Sequence, residues 1–407
     1  MIVSLGVEDE LQVVDALTGA LAPFDIERAK AALPDGPGAI TCEIHKCTVE
    51  LQTPICTSPD AIASSLSFLR SFARKQAARQ GQDVLAAGLH PFSTWQSQPV
   101  YQDPESYPTY AWLLQEYGEV ARSALSFGLH VHLGLPDAKL RIPVLNALRS
   151  VLPDVLALSA NSPFHEGRDT GLASWRHSVL GRYPRMGIPD AWPDEQAYFN
   201  HIARLRRLGS IASHQGMWDD LRLHHRYGTL EVRICDAVYS LERIWLIVAL
   251  LQCEVMVLAQ EAARGSLPEP EPRIWIEENK WRARRYGLAA SLVDWRRDEA
   301  VATQARYDRW LARLFPVAKK LGLWPRLEVA VAAALMKGTE ADQQRRWRGK
   351  SVSFESVVKG LIAASAEPWA ASSPVRRTRR DIQGEAPGEE GTAAFADASS
   401  FSNSHRA

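Results

Sequence analysis

The stretch that decides the fold is Ile2-Val3-Ser4-Leu5-Gly6-Val7-Glu8-Asp9-Glu10-Leu11-Gln12-Val13-Val14-Asp15. Odd positions Val3, Leu5, Val7, Leu11 and Val13 are apolar, and even positions carry Ser4, Glu8, Glu10 and Gln12. A period of two is the signature of a strand with one face against a core. Glu8 and Glu10 therefore leave the same face, roughly 7 Å apart along the chain. Two acids side by side on a sheet repel unless a cation lies between them. Taken alone, the pair is equally the face of a solvated strand.

Two further stretches repeat this pattern. In Gly128-Leu129-His130-Val131-His132-Leu133-Gly134-Leu135 the aliphatic residues take one face and both imidazoles the other, with glycines leaving room beside them. In Gly228-Thr229-Leu230-Glu231-Val232-Arg233-Ile234-Cys235-Asp236, Glu231 and Arg233 share a face opposite Leu230, Val232 and Ile234. An acid beside an arginine is either an exposed ion pair of little worth or a metal ligand beside a phosphate clamp, since arginine matches phosphate oxygens bidentately. A site of several carboxylates and one imidazole suits Mg²⁺ or Mn²⁺ better than zinc.

Between these strands the chain reads as helices of unequal length. Ser58 caps a helix that begins at Pro59; Tyr110–Phe127, Arg141–Ser159, Leu241–Arg264, Ile274–Gly287 and Tyr307–Ala334 are predicted as others. Residues 41–53 and 84–89 read as β, and 267–272 as a stiff proline-rich connection. This order predicts an α+β fold whose antiparallel sheet turns its polar face to a cavity. Residues 1–365 are expected to form one catalytic domain. From about Ala366 onward few large apolar residues remain, which predicts a disordered tail to residue 407 containing the basic run Arg376-Arg377-Thr378-Arg379-Arg380.

Composition narrows the function. Of 407 residues, 47 are basic and 47 acidic, so no broad field is offered to nucleic acid or anionic lipid. The stretch 244–259 is interrupted by Gln252 and Glu254 and reads as a buried helix rather than a membrane span. The first residues lack the basic start of a signal peptide, and five cysteines without a CxxC pair fit reduced thiols; a cytoplasmic protein is expected. Neither a Walker loop nor a Gly-x-Gly-x-x-Gly run occurs, which argues against P-loop or Rossmann nucleotide binding.

Five stretches in order resemble the type-2 glutamate–cysteine ligase family, whose members are also called carboxylate–amine ligases. They are Ser4–Glu10, Phe127–His132, Ala160–Phe164, Gly228–Asp236 and Asn279–Arg282, spanning roughly 70% of the chain. The resemblance implies membership of the glutamine synthetase superfamily, with a curved antiparallel sheet forming a funnel for ATP, divalent metals and a carboxylate substrate. It implies Glu8, Glu10, Glu50, His130 and Glu231 as metal ligands, His132 beside the nucleotide phosphates and Arg233 on the transferred phosphate. Arg176 and Lys280 are the candidates for further cations around substrate and nucleotide. Glu43, seven residues before Glu50, falls on the opposite face of a flat strand, so Glu50 is favoured unless a turn or bulge intervenes.

The implied reaction is ATP-dependent amide formation through an acyl phosphate, nominally joining glutamate to cysteine. The partners are then small-molecule carboxylates and amines, with neither nucleic acid nor membrane, and a homodimer is the assembly that the resemblance allows. A metal-dependent amidohydrolase and a binding protein built on the same residues are the competing classes. The sequence departs from the family pattern at Trp218-Asp219-Asp220-Leu221-Arg222-Leu223-His224-His225-Arg226, where a tryptophan and two prolines are missing, and at His165. These changes lie beside the strands rather than on them, and point to an altered substrate partner with retained activation chemistry.

Overall fold

The computed structural model describes residues 2–212, 216–349 and 353–369. The predicted disordered tail lies outside these residues from 370 onward. Near the end of the described residues, the Trp369 amide bonds to Ser67 Oγ at 3.2 Å, and the Arg326 guanidinium stacks on its ring.

Seven strands form the main sheet: β1 (Ser4–Asp15), β2 (Ala39–Cys42), β3 (Thr48–Gln52), β4 (Gln82–Leu85), β5 (Gly128–Gly134), β6 (Leu221–Leu223) and β7 (Thr229–Asp236). Their order is β6-β7-β5-β1-β3-β2, and every pairing is antiparallel. β1 is long enough to hold β5 along residues 4–9 and β4 along residues 12–15. The sheet is the α+β architecture expected, with β1 and β5 at its centre.

The alternation in β1 does what its period requires. Val3, Leu5, Val7, Leu11 and Val13 are buried in one core with Leu129, Val131 and Leu133 of β5 and Leu230, Val232 and Ile234 of β7. Helices α1 (Pro59–Ala78), α2 (Leu152–Ser159) and α3 (Leu241–Ala263) supply the other side of that core through Ile62, Leu66, Leu156, Trp245 and their neighbours. The Ser58 side chain caps α1 by accepting from the Ala61 amide, as its sequence predicts.

One residue of this apolar face breaks the pattern. Asp9 is fully buried and meets Arg70 of α1, whose Nε lies 2.7 Å from its Oδ2. The remaining Arg70 nitrogens donate to the Tyr239 and Val238 carbonyls at 2.6 and 2.7 Å. The arginine thus ties α1, β1 and the start of α3 together.

Two predicted helices are shorter than expected. Tyr110–Phe127 is interrupted at Gly118, which has a left-handed backbone (φ 51°), so the first helix ends at Tyr117. Tyr307–Ala334 is two helices, Thr303–Lys320 and Arg326–Lys337, parted at Trp324-Pro325. Among the described residues, the helical stretch long and apolar enough to cross a membrane is Ala138–Ser159, and 83% of its 18-residue apolar window is buried within the fold. All five cysteines are free and buried.

Candidate active site

The polar face of the sheet is built by register. Glu8 stands opposite His130 on β5, Glu231 of β7 opposite His132, and Glu10 of β1 opposite Glu50 of β3. Three sequence-distant motifs are thereby neighbours on four adjoining strands. A β-bulge between Val232 and Cys235 adds one residue to β7 where Arg233 leaves the sheet.

Two clusters of metal-type ligands result, Glu8–His132–Glu231 and Glu10–Glu43–Glu50, each with one donor atom per residue and all donors within 4.8 Å of one another. Glu43 joins because β2 ends at Cys42 and a turn precedes β3, so the seven-residue spacing no longer sets opposite faces. The preference for Glu50 alone is therefore corrected: both acids converge on Glu10.

The electrostatics of the two clusters differ. Burial alone would raise the Glu8 carboxyl, but hydrogen bonds from His130 and His132 outweigh it and hold the group below its ordinary range. Burial likewise opposes ionisation of Glu231, and Arg233 and Arg222 overcome it. In the other cluster burial and mutual repulsion add. Glu10 is pushed up to about 8 by burial and by Glu43. Glu50 is also raised, by burial and by Glu8, Glu43 and Glu10, and Glu43 and Glu50 hydrogen-bond to each other. Two buried carboxyls and a half-buried one, Glu43, with too little positive charge make a place that a cation suits.

His130 joins the clusters. Burial and Arg233 push it down to about 4, so it is neutral near pH 7. Its Nδ1 lies 3.0 Å from Glu8 Oε2, which requires the proton on Nδ1. The Nε2 lone pair then points without a hydrogen-bond partner toward Glu10, 3.7 Å away. His132 Nε2 lies 3.4 Å from Glu8 Oε1, and its Nδ1 is 2.9 Å from Thr229 Oγ1. An orphaned imidazole nitrogen on His130 beside carboxylates forms a donor set that a divalent cation fits.

The arginines are arranged around these acids. Arg233 bonds Glu231 directly and approaches His130 Nδ1 at 3.5 Å. Arg222 of β6, which the sequence reading did not single out, clamps the other side of Glu231 through Nε at 2.6 Å and Nη2 at 3.1 Å. Its cross-strand pairing with Glu231 is visible only once β6 is placed. Arg176 is buried beside Gly128, with Nε unpartnered and Nη1 3.4 Å from the Arg233 carbonyl. Gly128 is required there, because a Cβ would lie 2.3 Å from Arg176 Nη2.

Lys280 reaches the site through Asp220, which lines the Glu10-side cavity. Its ammonium is buried 2.5 Å from Asp220 Oδ2 and lines none of the cavities around the strands. A buried lysine spends its charge on the nearest carboxylate, and that carboxylate lies on the side of the centre away from His132.

Cavities open at both ends of the acid face. One, of ≈ 700 Å³, is bounded by Gly6, Glu8, His132, Gly134 and Tyr227. The other is bounded by Glu10, Glu43, His130, Arg176, Arg233 and a group of aromatic residues. Acids and imidazoles between two cavities, with arginines at one side, can hold an anionic group in each and neutralise charge passing between them.

The family model described as glutamate–cysteine ligase family 2 matches residues 4–360. The chain belongs to this family. Family members are ATP-dependent ligases, and the chain is such an enzyme. It is 38% identical over 367 residues to a protein of Rubrobacter xylanophilus provisionally named glutamate–cysteine ligase 2-3, covering 89% of this chain and 97% of the relative. A protein of Gloeobacter violaceus provisionally named glutamate–cysteine ligase 2 is 36% identical over 366 residues, covering 89% and 97%. The fold is shared with the glutamate–cysteine ligase of Francisella tularensis crystallised with AMP, at a TM-score of 0.66 and 14% identity, covering 90% of this chain and 88% of that one. A bifunctional glutathione synthetase from Pasteurella multocida superposes with a TM-score of 0.63 at 15% identity, covering 89% of this chain and 53% of that one.

Proposed function

We propose that this member of the family joins a carboxylate to an amine by way of an acyl phosphate, with divalent metal held on the polar face. The observation that carries the reading is the pair of carboxylate clusters bridged by His130 and flanked by Arg176 and Arg233. Glu8 and Glu231 would hold one metal, and Glu10, Glu43 and Glu50, with the His130 Nε2 lone pair, another. Bound there, Mg²⁺ or Mn²⁺ would draw charge from phosphate oxygens.

The chain's own residues do the rest. The Gly6–His132–Gly134 cavity would take ATP, with His132 facing its phosphates. Arg233 and Arg176 would hold the substrate carboxylate against the γ-phosphate and offset negative charge as phosphoryl passes between oxygens. Attack of a carboxylate oxygen on the γ-phosphorus forms the acyl phosphate and releases ADP. The amine then attacks the acyl carbon, expels phosphate and loses a proton to form the amide. Arg222 acts through Glu231, fixing its orientation from the side away from Arg233.

The family's name makes glutamate and cysteine the reference pair. ADP release in the presence of Mg²⁺, measured across a panel of carboxylates with and without amines, tests the reading. Release that depends on a carboxylate and doubles with a matching amine is expected, and Glu231→Gln should lower it by about 10²-fold. Carboxylates that leave ATP turnover unchanged, or amide hydrolysis without ATP, would replace it with the hydrolase.

A further inference from the structure

The cavity on the Glu10 side is walled by Tyr110, Leu113, Leu180, Tyr183, Met186 and Trp218, with Arg176 and Arg233 at its floor. The rings form a preassembled surface. Tyr183 and Tyr117 lie 5.0 and 5.4 Å from Trp218, and Arg185 stacks on the far side at 5.7 Å while donating to Tyr117. The Tyr110 hydroxyl is spent on the Cys42 carbonyl at 2.8 Å.

The acids Glu10, Glu43 and Asp220 also line this cavity, and the wider cavity that it adjoins at Tyr110, Leu113 and Trp218 is lined by Arg226 and by Arg222, which Glu231 holds. Among the described residues that line this cavity, the cations are Arg176 and Arg233. His177 gives Nε2 to the Ile234 carbonyl and is kept neutral by burial. Asp220 faces Lys280 behind the wall, at 2.5 Å. A dicarboxylate with one end on the floor would place its other carboxylate among rings with no counterion, at the cost of its hydration. An apolar body in the same place is buried against aromatic faces.

We infer that the carboxylate substrate carries an apolar, aryl-bearing body, as an arylalkanoic acid does, rather than a second charged group. The inference rests on the carboxylate-activating reading above and names the substrate class for that site.

Calorimetric titration of the full chain with Mg²⁺ and a non-hydrolysable ATP analogue separates the two. The probes are 3-phenylpropionate, glutarate and glutamate. The aryl acid should bind roughly tenfold more tightly than either dicarboxylate. Trp218→Ala should weaken it by about tenfold, and Leu113→Arg, by supplying the missing cation, should turn the preference toward glutamate. The wild-type ranking stands even if a variant fails to fold. Glutamate binding as tightly as the aryl acid, or more so, would overturn the inference and leave the ligase reading intact. Tight aryl-acid binding that supports no ADP release would uphold the ligand class and overturn the activation step.

Discussion

Asp9 and Glu10 are consecutive residues on β1, both buried, and the chain treats them in opposite ways. Asp9 points into the core and is met by Arg70, which also closes two backbone carbonyls. Glu10 points into the funnel, where burial and the neighbouring Glu43 make its ionisation harder. A buried charge whose partner is supplied by the fold is structural. Buried carboxyls whose partner the fold withholds suit something brought from outside, and the donor set here fits the divalent cation proposed above.

The contrast is breakable. Arg70→Ala should leave Asp9 buried without a partner and cost about 3–5 kcal/mol in denaturant unfolding. A cost below about 1 kcal/mol would remove Asp9 from the structural side of the comparison.

His90 is a second satisfied group and gives the comparison a pH axis. Its Nδ1 accepts from the Ser93 amide at 2.9 Å and its Nε2 donates to the Gly19 carbonyl at 3.0 Å, so it is built to be neutral. Burial holds it at about 4, below the ordinary 6.5. Unfolded chains take up that proton first as pH falls, so the stability it protects is complete above 6.5 and lost progressively toward 4. The loss is roughly 3 kcal/mol. His90→Asn should be less stable at pH 7.5 and should lose less of what remains between pH 6.5 and 4.5; parallel losses in both proteins would contradict this.

On the unsatisfied side the sign reverses. Saturating Mg²⁺, at about 100 times its dissociation constant, should add roughly 2.7 kcal/mol to unfolding stability. Glu50→Gln should reduce that gain, leaving the share of the Glu8–Glu231 site, while raising metal-free stability by about 0.5–1 kcal/mol, because one of the opposed carboxylates is gone. A Glu50→Gln protein that is less stable without metal and responds to Mg²⁺ as strongly as the unaltered chain would make the cluster structural.

Much of this was legible in the sequence because strands carry their faces in a period of two. Glu8, Glu10, His130, His132, Glu231 and Arg233 could be assigned to matching faces before any pairing was known, and the pairing brought them together. What stayed hidden depends on turns and on partners far away in sequence. Glu43 enters the site only because the chain reverses between Cys42 and Thr48. Arg222 is aligned by its cross-strand register, and Arg70 arrives from a helix. Lys280 shows the same limit: the motif marks it as a candidate cation around nucleotide and substrate, and its partner Asp220, 2.5 Å away, appears only in the fold.

The central claim is that the polar face activates a carboxylate by phosphoryl transfer. The most direct measurement supplies the carboxylate with both oxygens as ¹⁸O, together with ATP, Mg²⁺ and an amine, and follows the label by mass spectrometry. One ¹⁸O in each phosphate released is predicted, because the oxygen that attacked the γ-phosphorus leaves with it. Phosphate free of label while amide accumulates would contradict the account.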